Sequence, residues 1–265
     1  MILDKIVKTT KDRIEEKKKK LPIEKLIAEI EAKNRNMDEI SDKPFPFENA
    51  LKSDDISLIC EIKRASPSKG IISDDFNYLE IAKEYEKGGA SAISILTEPY
   101  FFKGHDKYIS EISSHVTIPI LRKDFVIDHY MIYEAKLLGA SAILLICSIL
   151  SKDQLNEYIK ISHNLGLSAL VEAHTHEEIK IAISAGARII GVNNRNLKNF
   201  EVNIDTSINL RKHVPKNILF VSESGIKTQE DIKILRDNKV NGALIGESLM
   251  KSKDKVEAIS KLKNI

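Results

Sequence analysis

From Ser57 onward the chain repeats one unit: a short apolar, β-branched run, then a segment whose apolar residues recur at helical spacing. The runs read as strands are Leu58–Lys63, Ala92–Leu96, Ile118–Arg122, Ala142–Ile146, Ser168–Glu172, Ile189–Val192, Ile218–Val221 and Gly242–Ile245. The spacing predicts helices over Tyr78–Lys87, Asp106–His115, Asp128–Leu138, Lys152–Leu165, Glu177–Ala185, Asp205–His213, Gln229–Asp237 and Asp254–Lys263. Strands alternating with helices imply parallel βαβ units. Eight such units predict an α/β protein of the (β/α)8 TIM-barrel class. A doubly wound open sheet is the alternative, and the lack of a Gly-rich dinucleotide fingerprint after the first strand counts against it.

Local signals agree with this frame. Ser151 with Gln154, and Thr175 with Glu178, fit the capping-box pattern at helix starts. Gly89-Ala90, Gly139-Ala140 and Gly186-Ala187 precede strands, where glycine suits a helix C-terminal cap. Ahead of the repeats, residues 1–45 are polar and helical in pattern, with Ile2, Leu3, Ile6 and Val7 on one face. Pro22 can open a second helix carrying Ile23, Leu26, Ile27 and Ile30, and Pro44 and Pro46 around Phe45 mark a linker. Residues 1–265 are therefore expected to form one domain, a barrel over 57–265 with an N-terminal helical extension over 1–45.

Barrel active sites lie at the C-terminal ends of the strands. Glu61 and Lys63 end the first strand on one face, with Ile62 on the other. Charges there are costly unless paired, and an active site at the barrel mouth would hold such a pair. The second strand leads into Thr97-Glu98-Pro99-Tyr100-Phe101-Phe102, and the third gives Arg122-Lys123-Asp124-Phe125. The fourth offers Leu144 and Ile146, then Ser148; the fifth ends in Glu172; the sixth runs into Asn193-Asn194-Arg195-Asn196. The seventh gives Ser222-Glu223-Ser224-Gly225 and the eighth Gly246-Glu247-Ser248. Any one of these is ordinary; acids and lysines converging on one mouth are not. Loops after the last two strands often bind phosphate, so Gly225, Gly246 and Glu247, with Ser66 opposite, are candidate phosphate-binding residues.

Bulk properties exclude other classes. Lys plus Arg number 41 against 39 Asp plus Glu, a net charge of +2, which gives no basis for a nucleic-acid partner. The dense basic run Lys17 to Lys20 reads as a solvated helix end. Cys60 and Cys147 sit in apolar runs and read as small buried hydrophobes, not a disulfide framework. No apolar stretch approaches the ~18 residues of a membrane span, and the start of the chain has no signal-peptide core, so no membrane partner and a cytoplasmic location are expected. His174 and His176 are spaced His-x-His, but the helix start at Thr175 accounts for them, and no metal site is expected.

The strand-end residues resemble those of a known family. Cys60-Glu61-Ile62-Lys63-Arg64-Ala65-Ser66-Pro67-Ser68 is similar to the signature of the indole-3-glycerol phosphate synthases of tryptophan biosynthesis. Leu121 to Phe125, Leu170 to Glu172, Ile190 to Arg195 and Ser222 to Ile226 fit in order, and Thr97-Glu98 with Phe102-Lys103-Gly104 resembles the loop after the second strand. The resemblance implies a carboxy-lyase that closes 1-(2-carboxyphenylamino)-1-deoxyribulose 5-phosphate to indole-3-glycerol phosphate, with loss of CO2 and water. It implies no metal or organic cofactor. A chain ending after its eighth unit is expected to be monofunctional, and a monomer is expected.

Residue types then suggest roles. The substrate ketone needs a proton donor as the ring attacks, and Lys123 fits that general acid. Departure of the hydroxyl also needs an acid, either Lys63 or Lys123. Glu172 suits the base that restores aromaticity, while Glu61 positions the lysines. Asn193 and Ser224 can bond substrate hydroxyls or order the acids, and Arg195 has the fork for a carboxylate or a loop. Glu223 joins the substrate-binding set, and Phe102, Phe125 and Leu144 either wall the anthranilate ring or pack in the core. Asn196 departs from the family, where Asp often follows the Arg; an indirect effect on Arg195 is expected. A rival phosphate-binding barrel, phosphoribosylanthranilate isomerase, wants a Cys–Asp pair and no paired lysines. A non-catalytic phosphometabolite-binding barrel should have lost Lys63, Lys123 or Glu172, and none is lost.

Overall fold

The computed structural model describes residues 2–36, 44–73, 75–196 and 200–263. Strands β1 (Ser57–Ile62), β2 (Ala92–Leu96), β3 (Ile120–Lys123), β4 (Ala142–Ile146), β5 (Ser168–Ala173), β6 (Ile189–Asn193), β7 (Leu219–Glu223) and β8 (Gly242–Ile245) pair in parallel, each with the next. β8 returns to β1 in a register running from Ser57 opposite Gly242 to Cys60 opposite Ile245, and the barrel closes. The strands read as near-continuous apolar runs because both their faces are covered. Leu58, Cys60 and Ile62 of β1 face outward into the layer under the helices. Ile59, Leu121, Leu170, Val221 and Leu244 face inward and fill the barrel.

Ahead of the barrel run α1 (Ile2–Lys20), α2 (Ile23–Asn36) and α3 (Pro46–Ala50). The helices between strands are α4 (Tyr78–Lys87), α5 (Lys107–Ser113), α6 (Tyr130–Leu138), α7 (Lys152–Asn164), α8 (His176–Ser184), α9 (Asp205–Arg211) and α10 (Gln229–Asp237). After β8 a short α11 (Glu247–Lys251), not foreseen from the sequence, precedes α12 (Lys255–Lys263). Part of the expected extension, 37–43, lies outside the described residues.

The prolines read as a linker instead open α3, where Pro46 occupies the first helical turn and its missing N–H costs nothing. Phe47 and Leu51, both fully buried, plug the N-terminal end of the barrel. The Lys17–Lys20 run is only half solvated. Lys17 bonds Asp106 and reaches Glu134 at 2.6 Å, and Lys18 reaches Asp128 at 2.6 Å. With the buried Arg13–Asp124 pair at 2.9 Å, these contacts moor α1 to the barrel near the end of β3.

Ser151 and Gln154 make both halves of the expected capping box. Thr175 makes one half only: it accepts from Glu178 N, while the Glu178 carboxylate turns to the backbone N–H of His174. Gly139 caps α6 in the left-handed region at φ 94°, which only glycine adopts without penalty. Among the described residues no helix is long and apolar enough to cross a membrane.

Candidate active site

Within the barrel the inward side chains change from apolar to ionised in one strand step. Above Ile59, Leu121, Leu170 and Val221 come Glu61, Lys123, Glu172 and Glu223, two residues further along β1, β3, β5 and β7. Parallel register brings them level: Glu172 lies opposite Gly191, and Asn193 opposite Glu223. Lys63 continues the β1 alternation beyond the strand end. These groups line a cavity of about 470 Å³ at the C-terminal mouth.

The charges interlock. Lys123 Nζ lies 3.1 Å from Glu223 Oε2 and 3.8 Å from Glu172 Oε2, and Lys63 Nζ bonds Glu61 Oε1. Burial alone would push the Lys123 ammonium down, but the carboxylates of Glu223, Glu172 and Glu61 outweigh it and hold it above its usual range. Burial would raise Glu61, yet Lys63, Lys123 and Arg195 keep its carboxyl below the ordinary value. Glu223 goes the other way. Burial, reinforced by repulsion from Glu172 and Glu61, lifts its carboxyl to about 7 despite Lys123.

Two glycines make room for these acids. A Cβ on Gly191 would sit 2.3 Å from Glu223 Oε1, and one on Gly246 would sit 2.5 Å from Glu61 Oε1. Neither clearance is visible in the sequence, because each joins residues of two different elements.

The remaining expected site residues reach the same cavity. Phe102 and Phe125 face each other with ring centroids 6.0 Å apart, and Leu144 belongs both to the cavity wall and to the inner core. Phe102 is held there by Glu98, fully buried, which accepts from the backbone N–H groups of Tyr100, Phe101 and Phe102 at 2.7–3.0 Å. Asn193 Oδ1 accepts from Arg195 N–H at 3.0 Å, while the Arg195 guanidinium donates to Phe200 O at 3.3 Å and lies 3.9 Å from Glu247. Arg195 thus braces its own loop at the cavity edge.

Ser66, Gly225, Gly246 and Glu247 line the side away from β3 to β5. Ser224 adopts φ 68° and Gly225 φ 86°, two left-handed residues in succession. The Glu247 carboxylate is engaged with Lys251 at 2.7 Å and Arg195, so what Glu247 can offer an anion is its backbone N–H rather than its side chain.

Some strand-end residues lie elsewhere. Arg122 points outward, fully buried, and donates to Asp106 and Glu134 at 2.7 Å each. Cys60 is also outward, as its alternation with Glu61 required, and burial pushes its thiol well up. His174 stands beside Glu172 and Glu178, and among the described residues no cluster of three or more ligand-type side chains could hold a metal ion.

Sequence reasoning missed several neighbours of the site. Ile2, Leu3 and Ile6 of α1 line the cavity; their apolar face was legible, its destination was not. Asp124 accepts from Arg13 Nη2 on both carboxylate oxygens and takes a 2.7 Å bond from Thr97, clamping the chain next to Lys123. Asn194 is almost fully buried behind the strand ends and saturates its amide. It donates to Ser222 Oγ at 2.9 Å and Ser224 O at 3.0 Å, and accepts from Ser207 N and Oγ at 3.1 and 2.7 Å. No periodicity marks it, since its partners lie on β7, on α9 and in the loop after β7.

Comparison with known proteins bears on the same residues. The family model described as indole-3-glycerol phosphate synthase matches residues 3–262. A protein of that name from Lachnoclostridium phytofermentans is 54% identical over 270 residues, covering 100% of both chains. One from Endomicrobium trichonymphae is 55% identical over 265 residues, again covering both completely. One from Thermoanaerobacter pseudethanolicus is 49% identical, covering 98% of this chain and 96% of that one. Among solved structures, KGPDC from Streptococcus mutans superposes with TM-score 0.63 at 11% identity, covering 79% of this chain and 96% of that one. A mutant tryptophan synthase alpha-subunit from Pyrococcus furiosus gives 0.60 at 16% identity over 79% and 98%. At that identity the structures speak for the barrel alone, whereas the match of residues 3–262 and the full-length relatives speak for the family. The chain belongs to the indole-3-glycerol phosphate synthase family, enzymes that act as carbon–carbon lyases.

Proposed function

We propose that the cavity closes 1-(2-carboxyphenylamino)-1-deoxyribulose 5-phosphate to indole-3-glycerol phosphate, releasing CO2 and water. The observation that carries this reading is the interlocked set of Lys123 with Glu223 and Glu172, and Lys63 with Glu61, at one barrel mouth. The ring carbon bearing the carboxylate attacks the ketone, and Lys123 donates a proton to the developing alkoxide. The ring regains its aromaticity as the C–CO2 bond breaks and its electron pair returns to the ring. The hydroxyl then leaves as water, and Glu172 removes the adjacent C–H proton to complete the pyrrole. Since Lys123 has already given its proton, Lys63 is the natural acid for the departing hydroxyl. Glu61 holds Lys63, and the surrounding ammonium groups favour the oxyanion.

Phe102, Phe125 and Leu144 form the wall proposed for the anthranilate ring. Ser66, Gly225, Gly246 and the Glu247 backbone are proposed for the phosphate, with Asn193, Ser224, Glu223 and Arg195 around the sugar chain. The route moves protons and releases CO2 and water, with no net oxidation or reduction, so it invokes no cofactor. The same reading has the chain acting as a cytoplasmic monomer; its support is that one chain supplies every group named above.

The test is indole fluorescence on mixing enzyme with 1-(2-carboxyphenylamino)-1-deoxyribulose 5-phosphate in the presence of EDTA, against a chain that has no tryptophan of its own. Product formed with EDTA present is the expected result. Binding without turnover would instead support a non-catalytic barrel, and absence of binding would overturn the substrate assignment.

A further inference from the structure

The His-x-His spacing splits in the fold. His176 turns outward and stacks on His213, with ring centroids 4.0 Å apart. His174 turns toward the barrel, directly behind the carboxylate proposed as the base. Its Nε2 lies 3.4 Å from Glu172 Oε1, and its Nδ1 lies 3.5 Å from Glu178 Oε2. That Nε2 is buried and has no aligned hydrogen-bond partner, so Glu172 is the nearest anion it faces. Glu178 is itself fixed, since it accepts the His174 backbone N–H at 2.5 Å from the first turn of α8. Glu172 is therefore held between two nitrogen groups, Lys123 on Oε2 and His174 on Oε1.

We infer that His174 is a positioning residue that aims Glu172 and supplies a cation behind it, with Glu178 as the anchor of the imidazole. This rests on the proposed role of Glu172. The geometry favours an imidazolium. A neutral ring has one N–H and would turn a lone pair toward one of the two carboxylates, whereas the cation offers an N–H to each. The titratable groups facing the ring are Glu172 of β5, Glu178 of α8 and Glu223 of β7, all acidic. Burial alone would lower the imidazole, but the Glu178 hydrogen bond and these carboxylates outweigh it and raise it above its usual value. Cys147, whose Sγ lies 3.7 Å from Glu178 O, is pushed up to about 12 by burial and adds no charge. His174 does not line the cavity, so it acts through Glu172 and not on the substrate.

The test is the pH profile of kcat for His174→Gln, Glu178→Gln and Glu172→Gln in the full chain, with KM and thermal stability measured alongside. Removing the imidazolium leaves the base with less positive surroundings. The acid limb of kcat in His174→Gln then moves to higher pH, by about 1–3 units for a charge at this range. kcat falls while KM stays near wild type, and Glu178→Gln moves the limb the same way by less. An unmoved limb in a folded His174→Gln variant would overturn the inference, as would a loss of kcat that merely follows a loss of folded protein. If Glu172→Gln keeps full turnover, the base assignment itself is wrong; if it is dead while His174→Gln matches wild type throughout, only the role of His174 fails.

Discussion

Lys123 Nζ stands 3.1 Å from Glu223 Oε2, and the two side chains are only 13% and 1% exposed. The contact is ionic rather than an aligned hydrogen bond, for neither Glu223 oxygen has a hydrogen-bond partner. Its two ends carry different loads. Lys123, surrounded by acids, stays protonated, the form that the proposed general acid needs. Glu223, crowded by two other carboxylates, titrates near neutrality and can return a proton. In the proposed reaction, a buried acid beside a buried lysine would reset the donor without reaching for bulk water.

Lys123→Ala removes the proposed general acid and is expected to cut turnover by at least about 10²-fold. Lys63 remains, held by Glu61, so residual activity measures how far the second ammonium can substitute. Steady-state kcat checks this, and a variant with near-normal kcat would take the acid role away from Lys123.

Glu223 makes stability depend on pH. Its folded carboxyl titrates near 7 against an ordinary 4.5, so between those values the folded chain binds the proton that the unfolded chain has released. Stability therefore falls as pH rises through this window, and below it the cost vanishes because both states are protonated. Glu223→Gln lacks the titration. Its melting temperature relative to wild type is expected to rise between about pH 5 and about pH 8, even though activity is lost. A constant difference across that range would sink the assignment.

The barrel was legible because eight β-branched runs punctuate the chain at regular intervals, and that pattern depends on short-range chemistry alone. The strand ends were less so. Counting apolar residues stopped β7 at Val221, while Ser222 and Glu223 pair in the ladder opposite Val192 and Asn193. Polar residues carry no periodic signal, so the functional end of β7 reads as loop, whereas the first strand, read to Lys63, ends at Ile62. β3 begins at Ile120 rather than Ile118, just past Pro119, whose nitrogen has no hydrogen to donate. Arg122 and Lys123 are adjacent and both charged, but alternation sends one under α5 and α6 and the other into the cavity. The convergence of acids and lysines followed from barrel topology. Most of what backs them up did not, because contacts such as Lys123 with Glu223, or Gly246 with Glu61, join residues far apart in the chain.

Gly246 illustrates such a contact. Its φ of −120° is not in the left-handed region that favours glycine, and space is what restricts it most directly. A methyl group there would meet Glu61 Oε1 at 2.5 Å and Glu61 Cβ at 3.2 Å, displacing the carboxylate that holds Lys63. Gly246→Ala is expected to lose on the order of 10²-fold in kcat through misplacement of Lys63. Overpacking should cost about 1–3 kcal/mol in stability, measured separately by urea unfolding. Wild-type kcat in the folded variant would mean that the Glu61–Lys63 geometry does not limit the reaction.

Asn194 supports the other side of the cavity through Ser224. A serine at φ 68° is in a region disfavoured for any residue with a Cβ, and the strain persists only while something holds it. The Asn194 amide does so, donating to Ser224 O at 3.0 Å while its carbonyl is pinned by Ser207. In Asn194→Ala the Ser224 carbonyl loses this donor and the turn can relax toward the right-handed region. The Ser224–Gly225 edge lines the cavity where phosphate binding is proposed, so the expected loss is in binding. KM should rise by about tenfold, the equivalent of one lost hydrogen bond, with a smaller change in kcat. Competitive inhibition by inorganic phosphate should weaken in step. Stability falls as well, because Ser207 N–H is left buried without its acceptor, so unfolding alone decides nothing. KM and the inhibition constant of phosphate decide it: both constants rise together if Asn194 shapes the anion site, and both stay put if it serves only to hold α9 against the barrel.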